Sequence, residues 1–157
     1  ILVSNLPYNA GTAIVNEAFW SKHPPASAVV MLQKEVGERM LAKPPNMSVL
    51  SVAIQLKTIG KRVCSVKPGA FTPPPKVDSV VLFLEAKYFS VHQHAQHIMA
   101  LAKVGFAHTR KQLKQTLAKS GIGDREKIGE ILALQGLSPL ARPEELSLKD
   151  WSALAQK

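Results

Sequence analysis

Asn5, Leu6, Pro7 and Tyr8 follow the apolar run Ile1-Leu2-Val3, and their types suit the recognition of a planar amine. The Asn5 side-chain carbonyl is an acceptor, and Pro7, fixed in φ and lacking an N–H, presents its own carbonyl. Tyr8 adds a flat face. Two acceptors beside an aromatic plate match a base with an exocyclic amino group: the acceptors take the N–H bonds while the ring stacks. That describes an adenine or cytosine held for chemistry at its amine. The same four residues also serve simply to end a strand, with Asn and Pro making the turn and Tyr covering the core.

Further along, Phe71 lies beside Pro73-Pro74-Pro75, a stiff extended run that keeps its ring from folding onto its own strand. A Phe plugging the core beneath the loop is the plainer alternative. Arg110, Lys111 and Lys114, placed on one helix, fall within about 100° of arc beside a Leu113/Leu117 stripe. They lie in a stretch, Ala86 to Gly123, that contains no Asp or Glu. Such a run suits phosphate contact or a solvated helix face. His92, His94 and His97 have no companion ligand and read as a solvated helix start, not a metal site. Cys64 reads as a small buried hydrophobe, and Gly121-Ile122-Gly123, with no strand before it, as a turn.

Several elements must position these residues. Ile1-Leu2-Val3 reads as the end of a parallel strand covered on both faces. A helix over Thr12 to Trp20 stops before Pro24-Pro25, and a buried strand follows at Ala28 to Leu32. Strand, helix, strand is a crossover unit. Helices are expected over Lys34 to Leu41 and over Ser48 to Lys57, the latter ended by Gly60. Strands follow over Lys61 to Val66 and Val80 to Leu84. Apolar residues then recur at helical spacing in Ile98-Leu101-Ala102, Leu113-Leu117 and Ile128-Ile131-Leu132, with Gly121 and Gly136 placed to end two of these helices. Ser147 and Asp150 suit a capping box for a last helix. The expected organisation is half of an α/β domain over residues 1–87 followed by a small all-helical domain over 88–157.

At 157 residues, 46% of them apolar, the chain can bury one modest core or two small ones. A formal charge of +9 favours a polyanionic partner. No apolar run reaches the roughly 18 residues a spanning helix needs, and no charged leader precedes a cleavable apolar segment. One cysteine, unable to form an internal disulfide, suits a reducing compartment. The opening on Ile1 within a strand suggests part of a longer protein.

Three segments recur in this order in one family: Asn-Leu-Pro-Tyr-Asn at 5–9, Met-Leu-Gln-Lys-Glu-Val at 31–36, and Pro-Gly-Ala-Phe-Thr-Pro-Pro-Pro-Lys-Val-Asp-Ser at 68–79. On these the chain resembles the small-subunit rRNA adenine N6,N6-dimethyltransferases, the kasugamycin-resistance methylases, over nearly its whole length. The resemblance implies the C-terminal half of a Rossmann-like methyltransferase sheet and a helical RNA-binding domain. It implies methyl transfer from S-adenosylmethionine to adenine N6 of small-subunit rRNA within the immature small ribosomal subunit, by a cytoplasmic monomer without metal. Asn5, Leu6, Pro7 and Tyr8 would then be catalytic, and Phe71 would close on the base from the face opposite Tyr8. Lys34, Arg39 and Lys76 would join Arg110, Lys111 and Lys114 against RNA. Only Asn5 would touch the cofactor, whose glycine-rich loop and ribose-binding acid lie upstream in such families, so the isolated chain is expected to be inactive.

The chain departs from the family's usual pattern at Asn9-Ala10-Gly11-Thr12, at Thr109, where an Arg is usual, and at 44–48, which lacks a Gly-Arg pair. Leu6 and Asp78 favour the small-subunit type over the related large-subunit methylases of macrolide resistance. A non-catalytic RNA-binding, ribosome-assembly or transcription factor of the same fold is the alternative.

Overall fold

A computed structural model describes residues 1–87 and 92–156, the side chains of residues 92–94 excepted. The chain divides into two compact units. The first, Ile1–Leu41 with Ala53–Tyr88, is an α/β unit built on one four-stranded sheet. Its order is β1 (Leu2–Asn5), β2 (Ser27–Gln33), β4 (Ser79–Ala86), β3 (Thr58–Val66).

β1 and β2 pair in parallel, Asn5 opposite Met31, and the crossover between them is α1 (Gly11–Trp20). Such a connection needs an intervening element because parallel strands cannot be joined by a tight turn. β4 returns antiparallel between β2 and β3. Alternate residues of β2 and β4, among them Ala28, Val30, Leu32, Val80, Leu82 and Leu84, are buried, the period-2 signature of a sheet with one well-covered face. Phe19, Met40, Ile54 and Leu56 are buried in the same unit.

α2 (Lys34–Met40) follows β2 without a gap, and Gly37 lets it approach the sheet, since a Cβ there would run into Val80. α3 (Val49–Lys57) likewise runs directly into β3, so Gly60 lies inside a strand and does not end the helix. Its position has a steric cause. A Cβ on Gly60 would lie 2.8 Å from Leu84 and closer still to Leu41.

Two burial expectations are corrected. Val3 is 74% exposed, because β1 pairs only with β2 among the described residues and is an edge strand here. Cys64 is exposed, not a core residue. It lies on the other edge strand, just past a register shift between Arg62 and Cys64 that adds one residue to β3 and re-aims the side chains around it.

The second unit, Ala42–Val52 with Phe89–Lys157, is helical. It carries α4 (His92–Gly105), α5 (Leu113–Lys119), α6 (Arg125–Leu134) and α7 (Leu148–Ala155) around Ile98, Leu113, Leu117, Leu132 and Trp151. Phe106 and Trp151 meet with ring centroids 5.6 Å apart. The capping box of Ser147 and Asp150 starts α7, and Asp124 caps α6. Gly121, Gly123 and Gly136 have positive φ, as turns after helices require.

A contiguous division at residue 87 is corrected at one place. Ala42–Val52 belongs with the helical unit, where Met47 is buried and its N–H donates to the Glu144 carbonyl at 3.0 Å.

Candidate functional site

Where β1 ends, the chain turns sharply. The Leu6 N–H continues the ladder to the Met31 carbonyl at 2.9 Å, and Leu6 is itself buried. Its side chain anchors the turn in the core. Asn5 and Pro7 are exposed, and Tyr8 is half-buried.

The Pro7 carbonyl accepts from the Ala10 N–H at 3.1 Å and the Gly11 N–H at 2.8 Å. Those two bonds use both lone pairs and start α1, so Pro7 does not present a free acceptor to a ligand. The Leu6 carbonyl accepts no backbone hydrogen bond among the described residues. The available acceptors at this strand end are therefore the Asn5 carboxamide and the Leu6 carbonyl. Gly11 completes the turn. A Cβ at that position would lie 3.3 Å from the Leu6 Cβ, so a small residue lets α1 begin directly against the motif.

Tyr8 is held by its hydroxyl, which lies 2.7 Å from the Oγ of Ser79, a fully buried residue at the start of β4. Next to it, Asp78 binds twice. Its carbonyl accepts the Lys34 N–H at 2.9 Å, and its carboxylate accepts from Lys67 Nζ at 2.7 Å. The three sequence segments thus converge at one point: Tyr8 from the first, Lys34 from the second, Asp78 and Ser79 from the third. The Lys67 ammonium, with Lys34 adding charge, holds the Asp78 carboxyl below the usual aspartate range against the opposing effect of burial.

Ser79 and Lys67 were not among the residues singled out from sequence. Ser79 had a signal, standing in the third segment. Lys67 had none, because an exposed lysine has no pattern.

Phe71 is half-buried after a short 3-10 turn, Pro68–Ala70, and its N–H donates to the Pro68 carbonyl at 3.1 Å. Among the described residues its ring is not in contact with that of Tyr8. The Lys67–Asp78 pair closes the loop that carries Phe71, tying its two ends together. Of the other basic candidates in this unit, Lys34 pairs weakly with Glu38 at 3.9 Å, and Arg39 and Lys76 are exposed.

In the helical unit one expectation is overturned. Arg110 and Lys111 precede α5, which begins at Leu113, so only Lys114 of the three lies on that helix. α4 is followed by a 3-10 turn, Phe106–His108, and the Lys111 N–H then donates to the His108 carbonyl at 2.9 Å. Helical phase is lost there. Arg110 and Lys111 are exposed and Lys114 half-buried. No group of three metal-ligating side chains occurs among the described residues, and the His92 and His94 side chains lie outside them. No described helix is long and apolar enough to cross a membrane.

The family model described as ribosomal RNA adenine dimethylase matches residues 1–151. Ribosomal RNA small subunit methyltransferase A of Syntrophotalea carbinolica is 39% identical over 160 residues, covering 99% of this chain and 60% of that protein. A dimethyladenosine transferase from Plasmodium falciparum superposes with a TM-score of 0.81 at 25% identity, over 97% of this chain and 64% of that one. The 23S rRNA methyltransferase ErmE superposes at 0.79 and 19% identity, over 98% and 63%, a likeness of fold alone. The chain spans about 60% of the length of the curated relatives it matches.

Proposed function

The chain belongs to the ribosomal RNA adenine dimethylase family, and from that membership we propose that it carries the target-base half of an adenine N6-methyltransferase acting on small-subunit rRNA. The observation that carries this reading is the intact Asn5-Leu6-Pro7-Tyr8 turn at the end of β1, with Asn5 exposed and Tyr8 fixed to Ser79.

Adenine N6 is a poor nucleophile because its lone pair is delocalised into the ring. Asn5 Oδ1 and the Leu6 carbonyl accept its two N–H bonds, keeping density on nitrogen and stabilising the positive charge that grows there. Leu6 takes the place first assigned to Pro7, whose carbonyl is committed to α1. Tyr8 supplies the stacking face, oriented through its hydroxyl, and Phe71 approaches from the loop as the opposing face. The donor set fits S-adenosylmethionine as methyl source, since it offers acceptors and a planar surface without an acid–base pair. That cofactor, when bound, supplies an electrophilic methyl on sulfur and leaves as a neutral thioether, and of this chain's residues Asn5 stands nearest its role. The proton lost from nitrogen goes to solvent after transfer.

Residues 88–157 serve as the RNA-binding domain in this reading, with Arg110, Lys111 and Lys114 against phosphates and Lys34, Arg39 and Lys76 near the base site. The protein works in the cytoplasm as a monomer on the immature small subunit. Transfer of labelled methyl from S-adenosylmethionine to small-subunit rRNA by the complete protein tests the assignment. Equal incorporation by an Asn5→Ala variant would overturn it.

A further inference from the structure

The helical unit contains a cleft of about 420 Å³ that is lined by His108, Lys111, Gln115, Lys119 and Arg125 and by no acidic side chain. Its size lies within the ~300–1,000 Å³ of ordinary ligand clefts. The basic residues come from three separate elements. His108 stands on the 3-10 turn after α4, Lys119 at the end of α5, and Arg125 at the start of α6. Among the described residues none of the four basic groups forms an ion pair, the salt bridges there being Lys34–Glu38 and Lys67–Asp78.

Nearby acids are accounted for. The Asp124 carboxylate accepts the N–H groups of Glu126 and Lys127 at 3.1 and 3.4 Å and is turned to α6. Glu126 and Glu130 line a neighbouring cleft with Lys114, and Arg125 borders both clefts without forming, among the described residues, an ion pair to either acid. Beneath the basic rim, Thr116 is buried with its hydroxyl on the Gln112 carbonyl, and the Gln115 amide donates to Gln112, so the floor is internally satisfied. What remains unmatched is positive charge. Unpaired cations converging on one concavity repel one another unless an anion is present.

We propose that this cleft binds a phosphodiester of the RNA chain, with Lys119 and Arg125 as its principal contacts and Lys111 and His108 completing the cage. Arg125 offers a planar fork for two phosphate oxygens and Lys119 a point charge. The His108 imidazole adds an N–H donor. The inference rests on the RNA partner proposed above and extends the interface to residues beyond the 110–114 segment.

The test uses the complete protein with a Lys119→Gln/Arg125→Gln double substitution, and reads binding to a small-subunit rRNA fragment across a range of salt concentrations. The slope of log affinity against log salt should fall by about 1.4 to 1.8 units, two contacts at ~0.7–0.9 each. The Lys119→Arg/Arg125→Lys pair should keep the slope. An unchanged slope in the glutamine variant overturns the cleft assignment, whereas absence of rRNA binding by the unmodified protein overturns the functional reading itself. A second measurement needs no variant: the His108 imidazole resonances of the unmodified protein, titrated with uridylyl-uridine. A saturable shift that rRNA competes away supports the site. No shift, or a shift with inorganic phosphate but not with the dinucleotide, overturns it.

Discussion

The Tyr8 hydroxyl and the Ser79 Oγ lie 2.7 Å apart, joining the turn after β1 to the first residue of β4 across 71 positions of sequence. Ser79 is fully buried, so its hydroxyl has no water to turn to if Tyr8 is lost. Tyr8→Phe keeps the stacking face and removes the bond. Stranding a buried hydroxyl costs about 1–3 kcal/mol, readable by denaturant titration, and Ser79→Ala in the same background should recover part of that loss. A Tyr8→Phe variant as stable as the parent would remove this bond from the architecture of the site.

Of the three segments that meet here, the first was legible from its residue types and the other two through the family resemblance. Proline, glycine and short apolar runs fix where strands stop, and the parallel crossover through α1 follows from their order. What sequence hid was the direction of single groups. Pro7 lacks an N–H and so suggests a free carbonyl, but the turn that starts α1 consumes that carbonyl. Cys64 and Gly60 were misplaced for a related reason. β3 starts three residues earlier than its charge alternation suggests and carries a bulge, so burial along it does not follow from composition.

Asn5 tests the chemistry directly. In the complete protein, Asn5→Ala should lower turnover by roughly 10²-fold or more with a smaller effect on RNA affinity, because a preorganised acceptor acts mainly as charge develops. Single-turnover methylation and filter binding on the same preparation separate the two. Parallel losses in both would make Asn5 a structural strand-exit residue.

The Lys67–Asp78 pair predicts a pH dependence of definite sign. Asp78 is held below the usual aspartate range by the Lys67 hydrogen bond first, and by the charges of Lys67 and Lys34. A carboxyl whose pKa is lower folded than unfolded stabilises the fold above its unfolded value, about 4. That contribution is lost as pH falls through the folded value. Thermal melts of the parent and of Lys67→Met should therefore differ slightly at neutral pH, the pair being solvent-exposed, and converge in acid. A gap that widens on acidification would contradict the assignment.

Gly37 is a steric test of how α2 meets the sheet. Alanine favours a helix over glycine by about 1 kcal/mol, yet a Cβ here would overlap the Val80 side chain and crowd Leu32 at 3.3 Å. Overpacking of a stiff β-branched neighbour costs about 1–3 kcal/mol. Gly37→Ala should lower the Tm. A raised Tm would mean that α2 stands further from β4.

The basic residues before and on α5 are no longer equivalent. Arg110 and Lys111 are exposed in the turn, and Lys111 lines the acid-free cleft. Lys114 is half-buried and does not line the acid-free cleft; it lines the neighbouring one with Glu126, Glu130 and Arg125, the arginine common to both clefts. Replacing Arg110 and Lys111 with Gln should reduce the salt slope of rRNA binding by about 1.4 to 1.8 units, at ~0.7–0.9 per lost phosphate contact. Lys114→Gln alone should change it by well under one unit. A regular helical face carrying all three would instead predict equal decrements at each position. Filter binding of the two variants side by side distinguishes these outcomes, and a Lys114 decrement as large as that of Lys111 would return α5 itself to the RNA interface.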